Sequence, residues 1–267
     1  MSYDDGLPPG WGGLNAKKPV AVGSGDDDVT IPVAAGFAVF LGGLFGALAG
    51  SMIGLALGFY DVADLTSLEE SSEGLIRFLI ASSFGQFLAM GLLLVMFSRF
   101  RGTGKWSTDY GLEIKSRDVF WMPLGTLIQI VSIVLVALLA QALGVEVPTQ
   151  EAAAAVEDSQ SWGQQIALGV LIVVVAPVVE EMLFRGLWLK AIMAKYGQMA
   201  AVVVTSVLFG IAHLLDPSAA FLVPALVLVG FVLAVVTLRK GRLGPAIMIH
   251  AGFNLTTFVI LIGPTIG

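Results

Sequence analysis

Two carboxylates and a guanidinium interrupt an apolar run in the stretch E-E-M-L-F-R-G, Glu180 to Gly186, which follows L-G-V-L-I-V-V-V-A-P-V-V. Farther along the chain come its only two histidines, His213 and His250, and then Asn254, one of just two asparagines. A carboxylate or imidazole can take a proton from water, and an imidazole or amide N–H can stabilise the oxyanion of a tetrahedral intermediate. That is the equipment of a hydrolase that uses neither serine nor cysteine. The chain contains no cysteine, which removes thiolate catalysis, disulfides and thiolate metal sites. Glu180, His213 and His250 could also serve as an alternative zinc set, although they lie on separate segments without H-E-x-x-H spacing.

Helical spacing sorts these groups, because residues four apart share a face and adjacent ones diverge by about 100°. Glu181 stacks with Arg185 and can neutralise it as a scaffold pair. Glu180 points elsewhere and has no partner on its own helix. His250 and Asn254 share a face, and Phe209 sits one turn before His213. Pro177 lacks an N–H and crowds the carbonyl of Val173, so a kink or local opening is expected one turn before Glu180.

The positioning elements follow from composition. Of 267 residues 57% are hydrophobic and 13% charged, with mean hydropathy +0.89, so the chain is expected to be an integral membrane protein of the all-α class. Apolar runs at 31–60, 75–98, 119–144, 164–190, 199–215, 219–238 and 243–263 give a polytopic bundle of about seven spans, with an eighth if a long run is split. Residues 1–30 are rich in Gly, Pro and Asp without apolar periodicity and read as a disordered cytoplasmic tail with no cleavable signal. Residues 31–267 form the membrane domain.

Lysine and arginine cluster after the second span (Arg99, Arg101, Lys105, Lys115, Arg117), after the fourth (Lys190, Lys195) and between the last two (Arg239, Lys240, Arg242). The alternate loops are acidic, with Arg77 the one exception. This pattern places the N-terminus in the cytoplasm of a plasma-membrane protein. The net charge of −6 and the lack of a basic patch exclude a nucleic-acid partner. Gly42, Gly46, Gly50, Gly54 and Gly58 recur every four residues and make a groove on the first span for close packing within the bundle, or for a dimer.

An ionisable side chain inside a span costs several kcal/mol unless it is paired or wet, so Glu180, His213 and His250 are candidate functional groups by position. In order, Glu180-Glu181-x-x-x-Arg185, Phe209-x-x-x-His213 and His250-x-x-x-Asn254 resemble the three-motif signature of the CAAX protease and bacteriocin-processing (Abi) family of intramembrane endopeptidases, over residues 163–262. The resemblance implies a metal-independent, glutamate-dependent peptidase whose partners are membrane lipid and a peptide or lipidated protein. It implies that Glu180 and His213 activate water while His250 and Asn254 form the oxyanion hole, with Glu181, Arg185 and Phe209 in support. It leaves substrate and oligomeric state open.

Three other readings stand beside it: a zinc-dependent membrane protease, a proton-coupled transporter, and a non-catalytic scaffold or immunity protein. Gln86 and Gln129 are expected to bond between helices, and Trp121 and Trp188 to sit in interfacial belts. Asp216 ends the fifth span or orients His213. Counting residues from the span ends puts the two histidines roughly 10 Å apart in depth, so the fifth span must begin deep or tilt for them to meet.

Overall fold

The computed structural model describes residues 32–63, 73–146 and 161–266, and the expected tail at 1–30 lies outside them. Seven helices are long and apolar enough to span a bilayer, and no strand occurs among the described residues. They are α1 (Val33–Ala56), α2 (Glu73–Arg101), α3 (Met122–Leu143), α4 (Trp162–Tyr196), α5 (Gln198–Ala212), α6 (Val223–Lys240) and α7 (Gly244–Ile266). The protein is a multi-pass, all-α membrane bundle.

Helix α4 is longer than its apolar run predicts. The hydropathy reading stops at Lys190, but the helix continues to Tyr196 because nothing breaks it before Gly197, where φ is +85°. Leu189, Ala191, Ile192 and Met193 pack inward along this extension. A single residue therefore joins α4 to α5, and the stretch between the fourth and fifth apolar runs is almost entirely helical.

Helices α1 and α2 touch backbone to backbone. A Cβ on Gly50 would stand 2.9 Å from Gly85 Cα, and one on Gly85 would stand 2.8 Å from Gly50 Cα. The glycine stripe thus packs inside the bundle. Gly58 does not belong to it: the helix ends at Ala56 and Gly58 turns the chain with φ +69°. On the other side α3 packs along α7, tied by Gln129 Nε2 donating to Thr257 Oγ1 at 2.7 Å and Thr256 Oγ1 donating to Thr126 Oγ1 at 3.0 Å.

One end of the bundle is fastened by polar contacts among the basic loops. Buried Asp109 accepts Ser98 Oγ at 2.5 Å and the amide and hydroxyl of Thr103 at 2.8 Å each. Burial, and then the adjacent Asp109 charge, hold the Tyr110 phenol above its ordinary range, so it stays protonated and donates to Leu94 O at 2.5 Å. Lys190 Nζ donates to Asp109 O at 3.1 Å, and Leu243 N donates to Gly111 O at 2.8 Å. Arg242 grips both carboxylate oxygens of Asp118, a bidentate bond that raises the guanidinium pKa and fixes the start of α7. These contacts gather the three basic loops at one end, as the charge pattern requires. At the opposite end Arg77 pairs with Glu73 at 2.7 Å.

Candidate active site

Helix α4 changes its winding on both sides of the carboxylates. Residues Val170–Val175 and Met182–Trp188 are π-helical, and Ala176–Glu181 between them is α-helical. Pro177 accounts for the first irregularity. In the wide turn the amide of Ala176 reaches back to Leu171 O, so the next carbonyl, Ile172 O, would look to residue 177. Proline has no N–H to give. Asn254 of α7 fills the gap, donating Nδ2 to Ile172 O at 2.8 Å. The expected opening before Glu180 is present, and a side chain from another helix closes its hydrogen-bond account.

Glu180 and Glu181 part company as their spacing requires. Glu181 is fully buried and takes Arg185 Nη1 on Oε1 at 2.9 Å. Arg185, also fully buried, gives Nη2 to Gly230 O on α6 at 3.1 Å and lies over the Phe209 ring at 4.6 Å from its centroid. The pair expected from the sequence is present, and it does more than neutralise itself. His250 Nδ1 lies 3.1 Å from the same Glu181 oxygen. Because a carboxylate only accepts, Nδ1 carries the proton and Nε2 points away, toward Glu180 Oε2 at 3.8 Å. Spacing along one helix cannot reveal this cross-helix bond, and the role of Glu181 in aiming His250 was therefore absent from the sequence reading.

His213 stands just past the end of α5, where a 3₁₀ turn runs His213–Leu215. Its Nδ1 donates to Phe209 O at 2.8 Å, which leaves Nε2 as the basic nitrogen. Asp216, an alternative orienter of this ring, is not the partner of Nδ1. The two imidazoles lie 5.0 and 5.5 Å from the centroid of the single Phe209 ring, so the depth mismatch counted from the span ends does not arise. The short α5 begins immediately after Gly197, and its C-terminal turn, at Phe209, meets α7 at His250.

Glu180, His213, Asp216 and Asn254 line one cavity of about 730 Å³ whose remaining wall is mostly apolar. The Glu180 side chain is 19% exposed there, whereas that of Glu181 is sealed. Gln86 and Gln129 also reach this wall. Trp188 is buried against the first residue of α1, donating Nε1 to Val33 O at 3.1 Å and packing edge-on against Phe37 and Phe184. Its N–H thus finds a carbonyl partner on α1. Trp121 remains half-buried, with Lys240 over its ring at 5.1 Å.

Among the described residues no three His, Asp or Glu side chains are disposed to hold a metal ion. The side chains of Glu180, His213 and His250 are not gathered in that way, although the Nδ1 bonds of both histidines leave Nε2 open on each.

Residues 162–256 match the family described as Rce1-like, type II CAAX prenyl endopeptidase. The match begins with α4, takes in all three motifs and ends within α7, in agreement with the resemblance that the motifs carry. Helices α1 to α3 lie outside it. No curated protein and no solved structure matches the chain.

Proposed function

We propose that this protein is an intramembrane endopeptidase of the CAAX prenyl protease type, with Glu180 as the base that activates water. The observation that carries the reading is the pairing of two neighbouring carboxylates with one imidazole. Glu181, buried and charge-paired, aims His250, and Glu180, open to the cavity, faces the far nitrogen of that ring across 3.8 Å. That gap is too long for a direct hydrogen bond, so neither group is spent on the other.

In this reading a water held by Glu180 and His213 Nε2 loses a proton to Glu180, and its oxygen attacks the scissile carbonyl. His250, donating from Nε2, and the second amide hydrogen of Asn254 stabilise the oxyanion. Collapse of the intermediate breaks the C–N bond, and the proton on Glu180 passes to the departing amine. The apolar wall excludes bulk water and strengthens each of these interactions. The substrate is a peptide presented from the membrane, with a lipidated cysteine as the class that the family description suggests. The end of the bundle that carries the basic loops faces the cytoplasm of the plasma membrane.

The test is Glu180→Gln, which keeps shape and removes the base. A purified variant should keep its fold and lose cleavage of a farnesylated CAAX peptide by about 10²–10⁴-fold. Comparing membranes of cells with the natural and substituted protein should show the natural substrate accumulating uncut. Undiminished cleavage by the variant would refute the base role, whereas no cleavage by the unsubstituted protein would favour the scaffold and transporter readings.

A further inference from the structure

The cavity wall holds a carboxylate that the proposed chemistry does not use. Glu180 and Asp216 are its charged residues, and among the described residues no Lys or Arg joins them. Glu180 is assigned to the water. Asp216 does not hold the His213 ring, whose Nδ1 donates to Phe209 O. Its place is nevertheless set by the backbone, directly after the 3₁₀ turn His213–Leu215. Asp216 N donates to His213 O at 3.2 Å, and Asp216 O accepts Ala219 N at 3.0 Å. An acid against a mostly apolar wall is costly to keep, which makes it a functional candidate by position.

No cation of the described chain stands opposite. Arg185, the nearest in sequence to Glu180, is sealed and committed to Glu181 and to Gly230 O. The other described Lys and Arg residues lie in or beside the basic loops, apart from Arg77 at the opposite end. Of the stretches outside the described residues, 64–72 and 147–160 contain neither Lys nor Arg, and Lys17 and Lys18 belong to the tail. A segment entering the cavity therefore meets two carboxylates across apolar walls, where charges act more strongly than in bulk water and salt screens them less.

We infer that Asp216 is the charge selector of this site: it disfavours negative charge on the substrate segment beside the scissile bond and favours a Lys or Arg there. Selection of this kind works by repelling the wrong partner as much as by attracting the right one. The segment accepted is neutral or basic, and in a C-terminal CAAX peptide the free carboxylate is disfavoured, not recognised. Glu180 adds to the same field but exchanges a proton in the proposed cycle, whereas Asp216 has no proton to exchange in it. The inference rests on the endopeptidase reading and adds the charge of the segment that the site takes.

The test uses three farnesylated peptides that differ only in carrying Lys, Gln or Glu directly after the lipidated cysteine, each with an amidated C-terminus. They are offered to the full-length protein in phosphatidylcholine vesicles, whose neutral surface does not sort them by charge. The ratio kcat/KM should fall from Lys through Gln to Glu, with Glu about tenfold below Gln. The Gln peptide with a free carboxylate should be cut more slowly than its amide. Asp216→Asn should narrow the spread from Lys to Glu, Asp216→Glu should keep it, and Asp216→Lys should reverse its order. A residue that merely ended the fifth span would move the melting temperature and leave the spread unchanged. Equal kcat/KM for the three peptides with the natural protein would overturn the inference, and so would an undiminished spread in folded Asp216→Asn; the endopeptidase reading would survive either result. Failure of the natural protein to cut any of the peptides would withdraw that reading and the selector together.

Discussion

Asn254 gives its side-chain amide to the carbonyl of Ile172 at 2.8 Å, the carbonyl that Pro177 leaves without its helical donor. A residue whose motif suggests oxyanion chemistry thus also repairs the backbone of the helix that carries the base. The two duties are separable by experiment.

Asn254→Ala leaves a buried carbonyl unpaired and should cost about 1–3 kcal/mol, with activity falling about 10²–10³-fold. Adding Pro177→Ala restores an N–H to residue 177. Thermal unfolding in detergent should then show stability recovered, while activity stays low. Recovery of both would assign Asn254 a structural role alone.

Glu181→Ala strands the guanidinium of Arg185 in a fully buried site and should destabilise the protein by about 3–5 kcal/mol. The pair Glu181→Ala with Arg185→Met should cost less than the sum of the single changes, which a double-mutant cycle of melting temperatures reads directly. Glu181→Gln keeps an acceptor for His250 Nδ1 and should hold the fold better, yet still impair turnover, because a neutral amide that can also flip its donor toward the ring aims His250 less firmly.

Arg242→Lys tests the fastening of α7. Lysine cannot reach both oxygens of Asp118 at once, and the loss should be about 1–3 kcal/mol of stability. Hydrogen exchange should rise first at the start of α7.

Gly50→Val places a branched side chain against the backbone of Gly85, which cannot yield as a flexible side chain would. A loss of about 1–3 kcal/mol is expected from overpacking, seen as a lower melting temperature. A stripe that served a dimer interface would instead show a change in molecular mass with the melting temperature intact.

Much of this molecule was legible before any coordinates. Hydropathy located all seven spans within several residues, because a bilayer imposes a length on each apolar run. The pairing of Glu181 with Arg185 and of Phe209 with His213 followed from helical spacing, since each contact joins residues four apart on one continuous turn of chain. What spacing could not supply were bonds between helices. His250 to Glu181, Asn254 to Ile172 and Trp188 to Val33 each join residues more than sixty positions apart and depend on how α4 is wound and where α5 starts. The Pro177 opening was expected, but its form as a wide turn was not, because that form depends on a donor from α7. The length of α4 was underread because Lys190 looked like a span end. Its ammonium instead caps carbonyls of the loop after α2.

The winding of α4 has one more implication. Ala176–Glu181 is a short island between two wider coils, and wide coils tolerate the gain or loss of a residue that a regular helix does not. A rotation of this island would swing Glu180 around the helix axis with both ends of the long rod held still. A residue inserted or removed in either wide coil would thus shift the reach of the base without rebuilding the bundle around it.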